Sequence, residues 1–169
     1  MEIKTFEELF EHELEDLRSA EQQLIEALPK MAEAANDNEL KQAFKDHLQE
    51  TKTHLTRIDQ AFKKMGKQPK SHTCKGMQGL IKEGEDVMQS AQDPKIMDVA
   101  LIGAAQRVEH YEISAYGTAR AHAEAIGHVD IADILQTTLD EEGQANKRLT
   151  KLAEGRMAFK GANEKARMN

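Results

Sequence analysis

The sequence is poor in the residues that cross-link, bend or interrupt a chain. Its 169 residues include one cysteine, three prolines, ten glycines and no tryptophan, and aromatic residues make up 4% of the total. The single cysteine, Cys74, excludes an internal disulfide framework and a CxxC site. With 39% apolar and 31% charged residues, the composition predicts one mostly helical domain, large enough to bury a core without cross-links.

Long hydrophobic runs and an excess of positive charge are also missing. No stretch approaches the ~18 apolar residues of a membrane-spanning helix, and the acidic N-terminal segment lacks the apolar run of a signal peptide. The formal net charge of −7 gives no general electrostatic support for nucleic-acid binding. The sequence also has no glycine-rich phosphate loop and no nucleophile motif. We therefore expect a soluble, cytoplasmic protein without a membrane or nucleic-acid partner.

What the sequence does contain is helical periodicity. Apolar residues recur every three, four or seven positions, which is the spacing of one helical face. Thr5 with Glu8 forms a capping box, Gly66 and Gly127 are stop signals, and Pro29 interrupts the first segment. No strand pattern is found. The predicted long helices lie at about 6–35, 39–65, 95–126 and 129–154, and a shorter helix lies at about 77–91.

The connections between these segments predict how the helices are joined. Tight turns near residues 36–38 and 127–128 make two antiparallel hairpins, and a long crossover that holds the short helix links them. This is the connectivity of ferritin-like bundles. We therefore predict an all-α, ferritin-like four-helix bundle over residues 1–155, with the extra short helix in the crossover. Residues 156–169 form a basic tail that is predicted to be flexible.

Each long helix interrupts its apolar stripe with acidic residues or histidines near its middle. A buried, unpaired carboxylate is costly, so each interruption needs a reason. In an antiparallel hairpin, residues equally far from the turn lie at similar heights, which brings Glu21 level with Glu50. The same argument places Glu142 beside Glu109 and Glu112. The interrupting residues are Glu21, His47, Glu50, His54, Glu109, Glu112 and Glu142.

Carboxylates that converge from four helices would repel one another unless a cation lay among them. Oxygen ligands with one or two imidazoles suit iron or manganese, and two ions would neutralise such a cluster. The spacing departs from the usual di-iron pattern, in which two helices each supply Glu-x-x-His. The second helix has His47-x-x-Glu50 and Glu50-x-x-x-His54. The fourth has Ala145 three residues after Glu142, so we predict a site rich in carboxylate and poor in imidazole.

The sequence leaves alternatives open for several of these residues. For the carboxylates, the alternative to ligation is a salt bridge at the edge of the core. The basic residues near the right level are Arg18, Lys52 and Arg107. At least one of Glu109 and Glu112 is a predicted ligand. His47 is either a ligand or a hydrogen-bond donor to a ligating carboxylate, and His54 is either a ligand or a histidine satisfied within the core.

Neighbouring residues are predicted to be structural. Glu141 is expected to be solvated, and His110 is expected to play a supporting or structural role. Tyr116 is expected to pack in the core with its hydroxyl bonded to a polar neighbour. Cys74, with His72 close to it in sequence, is expected to be a packed thiol rather than part of a metal site.

At these positions the sequence resembles a known family. The segments that carry the likeness are SAEQQL at 19–24, HLQET at 47–51, CKGMQGLI at 74–81, QRVEHYEISAYGT at 106–118 and TLDEE at 138–142. They are similar to the YciE/YciF family of ferritin-like proteins, which are found in bacteria and linked to stress responses. The resemblance implies a ferritin-like bundle, a homodimer and a di-metal centre similar to that of rubrerythrin. By that similarity, His47 is the imidazole of the shared pattern, and the matched carboxylates are Glu21, Glu50, Glu109, Glu112 and Glu142.

Three functional hypotheses follow from the resemblance and the predicted site. In the first, a centre of two iron ions, or alternatively manganese, reacts with peroxide or O2 in a bacterial stress response. Because the chain has no cysteine cluster, electrons would come from an external donor. In the second, the protein is a non-enzymatic iron-binding protein or a ferroxidase. In the third, it is a structural helical bundle that serves as an interaction protein.

Overall fold

The computed structural model of the protein describes residues 3–156 and 159–167. The helices in this part of the chain are α1 (Phe6–Ala34), α2 (Asn38–Lys64), α3 (Lys75–Ser90), α4 (Pro94–Ala125), α5 (Val129–Glu154) and α6 (Ala162–Arg167). The predicted all-α bundle, with the short helix α3 in its crossover, is confirmed. Within these residues, no helix combines the length and the apolarity that crossing a bilayer requires.

Polar side chains cap the starts of α1, α2 and α4, and the cap of α1 was predicted from the sequence. Thr5 accepts a hydrogen bond from the backbone N–H of Glu8, whose carboxylate accepts from the N–H of Thr5, so the capping box is present. Asp37 and Asp93 cap α2 and α4, and each accepts from two backbone N–H groups. Pro29 lies inside α1, which continues past it as one helix.

The buried apolar side chains form two clusters at opposite ends of the bundle. The first cluster, near the turn between α1 and α2, includes Leu24 and Phe44. The second cluster, near the turn between α4 and α5, includes Leu17 and Ile58. Along α1, Glu21 falls between the leucines that belong to the two clusters. The apolar core is therefore divided at mid-height, where the polar residues lie.

The crossover helix α3 is anchored through its N-cap, Cys74. The buried sulfur accepts a hydrogen bond from the N–H of Met77 and lies 2.9 Å from the hydroxyl of Tyr111. That hydroxyl donates to Oδ2 of Asp16 at 2.6 Å, and Nε2 of His72 is 2.8 Å from the other oxygen of the same carboxylate. The prediction of a packed thiol is confirmed, because Cys74 joins α3 to both α1 and α4.

Gly76, near the start of α3, lies close to the ring of Tyr111. A Cβ there would stand 2.7 Å from Cε2 of the tyrosine. Gly76→Ala is expected to displace the ring from its hydrogen bonds and to lower the free energy of unfolding by about 1–3 kcal/mol. The control, Gly79→Ala, has nothing within 4 Å of the added Cβ and is expected to raise that free energy by about 0.5–1 kcal/mol. Urea denaturation measures the free energy of unfolding of both variants. Equal stabilisation by the two substitutions would contradict the close contact between Gly76 and the ring of Tyr111.

The described C-terminal residues form a small extension on the bundle. β1 (Gly155–Arg156) and β2 (Phe159–Lys160) pair antiparallel, whereas the sequence analysis found no strand pattern. Two residues per strand are too few for an alternating pattern to be recognised. In α6, Ala162 is buried against the first apolar cluster, and Nζ of Lys165 is 2.8 Å from Oδ2 of Asp37. The division of the chain at residue 155 and the flexibility of the tail stay predictions.

Candidate metal centre

A layer of polar side chains separates the two apolar clusters. Each of its members is at most 5% exposed, and the layer draws on α1, α2, α4 and α5. The members are Glu21, His47, Thr51, His54, Glu109, Glu112, Thr138 and Glu142. Carboxylates are seldom buried so completely unless they are paired or bind a cation.

Four of these residues form the first ligand group. Each offers one ligand atom, and the four atoms lie within 4.8 Å of one another. The group consists of His47, Glu109, Glu112 and Glu142. Nε2 of His47 is 3.4 Å from Oε1 of Glu109 and 3.9 Å from Oε2 of Glu142. Three carboxylates with one imidazole form a donor set that suits iron or manganese.

The second ligand group shares Glu142 with the first. It consists of Glu21, His54 and Glu142, again with one ligand atom from each within 4.8 Å of the others. Nδ1 of His54 is 2.8 Å from Oε1 of Glu142 and 3.5 Å from Oε1 of Glu21. As predicted, Tyr116 is fully buried with its hydroxyl bonded, and it donates to Glu21. Glu142 is therefore the residue common to the two groups.

Several ligand atoms in the two groups are buried without a hydrogen-bond partner among the described residues. They are Oε2 of Glu21, Nε2 of His47, Nδ1 of His54, Oε2 of Glu109 and both carboxylate oxygens of Glu112 and Glu142. The close approach of His54 to Glu142 thus lacks hydrogen-bond geometry. An unpaired buried polar atom costs about 1–3 kcal/mol, and a divalent cation would satisfy these atoms together. The residues present therefore fit a metal site.

Burial and crowding shift the pKa values of these groups. Burial raises the pKa of Glu109 to about 8 and that of Glu112 well above its usual range. Burial lowers the pKa of His47, but the carboxylate of Glu109 and the hydrogen bond to Glu50 outweigh it and raise the pKa to about 9. The adjacent carboxylates likewise outweigh burial and raise the pKa of His54 to about 10. These shifts favour the protonated forms of the metal-free cluster, and a metal ion would have to displace those protons.

Glu50 lies outside both ligand groups, although the hairpin argument placed it opposite the carboxylate of α1. Its side chain is 29% exposed and accepts a hydrogen bond from Arg148 at 2.6 Å. Thr51 is fully buried on the inward face of α2, and one residue earlier the helix has turned by about 100°. Helix α2 therefore presents two histidines and no carboxylate to the two groups, and both histidines are among the predicted candidates.

Two arginines at the edge of the centre were not among the basic residues that the sequence suggested. Arg148 forms the ion pair described above, and Arg57 bonds both carboxylate oxygens of Glu141. Glu141 was expected to be solvated, but it also lies 2.9 Å from Nε2 of His54 and supports that imidazole. His110 was expected to play a supporting or structural role and is instead exposed. The sequence contained one signal that Arg57 lies near the centre, because Arg57 follows His54 by three residues and shares its helix face.

Known proteins with the same sequence pattern identify the family. Residues 5–166 match the family model described as a domain of unknown function, DUF892. The chain belongs to this family. Protein YciF of Escherichia coli (strain K12) is 42% identical to this DUF892 chain over 165 residues, which covers 97% of this chain and 99% of that protein. The resemblance to the YciE/YciF family is therefore confirmed.

Solved structures agree with the fold of this DUF892 chain. The E. coli stress protein YciF has a TM-score of 0.86 and 44% identity, over 89% of this chain and 95% of that one. YcfI from Rhodopseudomonas palustris, named as a candidate structural protein, has a TM-score of 0.88 and 45% identity, over 90% and 97%. A Xanthomonas campestris protein, 17% identical with a TM-score of 0.70 over 87% and 89%, shares the fold alone.

Proposed function

We propose that the protein is a ferritin-like di-metal carboxylate protein whose two iron ions react with peroxide or O2 in a bacterial stress response. The observation that carries the proposal is the pair of buried ligand groups that share one carboxylate. The proposed ligands are Glu21, His47, His54, Glu109, Glu112 and Glu142. Iron is favoured because this mixed donor set suits it, and manganese is the alternative. The stress response is proposed from the relative described as a stress protein.

A narrow cavity beside the first ligand group favours a small substrate. It has a volume of about 20 Å³ and is lined by His47 and Glu109 together with apolar side chains such as Phe44, Val108 and Leu149. That volume admits roughly one molecule the size of water. A small uncharged oxidant such as O2 or hydrogen peroxide therefore fits this approach better than a larger organic substrate.

The side chains around the centre orient the ligands and exclude water. When bound, iron supplies the redox chemistry, and the chain supplies the site. Tyr116 donates to Glu21 and so fixes the direction of that carboxylate. Glu141, held by Arg57, bonds Nε2 of His54. The apolar clusters above and below exclude bulk water, which strengthens every electrostatic interaction in the layer.

Metal content after anaerobic reconstitution with Fe(II) tests the proposal. We expect two ions per chain in the wild type, followed by consumption of O2 or peroxide when either is added. His47→Ala and His54→Ala are each expected to lower the content to one ion, because each removes the imidazole of one ligand group. The control, Glu26→Ala, changes an exposed carboxylate on α1 and is expected to leave both ions in place.

The other outcomes separate the alternative functions. Two ions that are held without consumption of either oxidant would favour a non-enzymatic iron-binding protein, and O2 consumption only during Fe(II) loading would favour a ferroxidase. The absence of bound metal under both aerobic and anaerobic conditions would overturn the proposal. It would favour a structural bundle that acts as an interaction protein, and the relative YcfI is named as a candidate structural protein.

We also propose that the protein acts in the cytoplasm as a homodimer, without a membrane or nucleic-acid partner. The buried, free Cys74 is compatible with a reducing compartment, and the homodimer is proposed from the family resemblance. Sedimentation of the purified protein at several concentrations tests the dimer. A monomer at all concentrations would contradict it.

A further inference from the structure

Glu50 connects the first ligand group to the edge of the bundle through a single oxygen atom. Its Oε2 lies 3.2 Å from Nδ1 of His47 and accepts a hydrogen bond from Nη2 of Arg148 at 2.6 Å. Because Glu50 belongs to neither ligand group, it meets the centre through His47 rather than through a metal ion.

The contact with Glu50 decides which nitrogen of His47 faces the other ligands. An ionised carboxylate only accepts hydrogen bonds, so Nδ1 carries the proton. A histidine that binds a metal ion is neutral, and the lone pair of a neutral His47 would then lie on Nε2. That atom is buried without a hydrogen-bond partner in the described part of the chain and is 3.4 Å from Oε1 of Glu109. The nitrogen that would bind a metal ion, Nε2, therefore faces the other members of the first ligand group.

Arg148 holds Glu50 in this position from the neighbouring helix. The ion pair crosses from α5 to α2, and both side chains are partly exposed. Without the arginine, the carboxylate would be free to turn toward water and away from the imidazole. Arg148 also lines the narrow cavity together with His47. The ion pair thus lies at the partly exposed edge of the bundle, beside that cavity.

We propose that Glu50, held by Arg148, is a positioning residue that fixes the orientation and the tautomer of His47. The inference rests on the proposed function, because it is the metal centre that gives His47 its role as a ligand. It replaces the sequence-based prediction of Glu50 as a ligand. Carboxylates that accept from a ligating histidine orient the ring and raise its basicity, and their loss typically weakens metal binding by about 10–100-fold.

Titration with Zn(II) of the wild type, Glu50→Ala and Glu50→Gln tests the role of the carboxylate. All three are expected to bind the same number of ions at saturation. Glu50→Ala is expected to lower the affinity for one Zn(II) ion by about 10–100-fold. Glu50→Gln is expected to recover most of that affinity, because the amide oxygen still accepts the hydrogen bond from Nδ1 of His47. The Zn(II) affinity of Arg148→Met is expected to lie between those of Glu50→Ala and Glu50→Gln. Its control, Lys147→Met, changes an exposed neighbour on α5 and is expected to match the wild type.

Long-range ¹H–¹⁵N NMR of the Zn(II)-loaded protein, labelled at histidine, gives a readout that a general loss of packing would not reproduce. His47 is expected to show a protonated Nδ1 and a metal-bound Nε2 in the wild type, and two modes of ligation in Glu50→Ala. Loss of one ion at saturation in both Glu50 variants would make Glu50 a ligand and overturn the inference. An unchanged affinity and spectrum in Glu50→Ala would also overturn it. A wild type that binds neither Zn(II) nor Fe(II) would instead overturn the proposed function itself.

Discussion

Replacing Glu142 with alanine is expected to abolish the binding of both metal ions. Glu142 is the residue that the two ligand groups share, and it is fully buried. Its removal leaves the second group with Glu21 and His54 alone, which are too few to hold an ion. The first group keeps three of its four members, the same number that remains in His47→Ala, for which the loss of that ion is also expected. The loss of affinity is therefore expected to exceed the roughly 100-fold that follows removal of an outer partner.

Metal analysis and thermal unfolding measure this effect together. A metal concentration 100 times the Kd stabilises a protein by about 2.7 kcal/mol, so the wild type is expected to unfold at a higher temperature with Fe(II), and Glu142→Ala is not. The control is Asp140→Ala, which removes an exposed carboxylate from the same helix and is expected to respond as the wild type does. Two ions retained by Glu142→Ala would contradict the role of this carboxylate as a ligand shared by the two groups.

Replacing Glu112 with leucine is expected to stabilise the metal-free protein and to remove the stabilisation by metal. Both carboxylate oxygens of Glu112 are buried without a hydrogen-bond partner among the described residues. Burial raises the pKa of this group well above its usual range, which favours the protonated acid, and the buried group has lost its water contacts. Leucine has no polar atoms to desolvate, and its substitution is expected to raise the free energy of unfolding by about 1–3 kcal/mol.

Urea denaturation with and without Fe(II) measures both halves of this prediction. Glu112→Gln is the matched variant, because its amide keeps polar atoms in the same buried position and is expected to give little or no gain in stability. A Glu112→Leu protein less stable than the metal-free wild type would show that the carboxyl group contributes to packing or hydrogen bonding within the bundle. It would remove the argument that this residue is kept for a ligand.

The substitutions of Glu142 and Glu112 both test why unpaired carboxylates are buried at the mid-height of the bundle. A purely structural core would fill the mid-height of the helices with apolar side chains, since unpaired buried carboxylates lower stability. Within residues 3–156 and 159–167, the carboxylate oxygens of Glu112 and Glu142 instead have no hydrogen-bond partner. Residues that break a packing rule are expected at functional sites, and a gain in stability on removing one of them is characteristic of such a site.

The carboxylates of α1, α4 and α5 could be predicted from sequence because each interrupts an otherwise apolar face. Glu21, Glu109, Glu112 and Glu142 all lie in the buried layer, at the heights that the hairpin argument indicated. The argument failed for α2, where Glu50 and Thr51 are adjacent at the same height. Apolar periodicity cannot decide which of two adjacent polar residues faces inward, because neither carries a hydrophobic signal. Packing against α5 decides it, by pairing Glu50 with Arg148 at the bundle edge.

The sequence alone therefore establishes the helices, their connectivity and the presence of an acidic layer, because periodicity, caps and turns are properties of short segments. The tertiary structure decides which atoms meet within that layer. The rotation of each helix about its axis is set by side chains on its neighbours, and the contacts that report it join residues far apart in sequence. Arg57 with Glu141, and Glu50 with Arg148, are such pairs. The orientation of both histidines in the proposed centre depends on them.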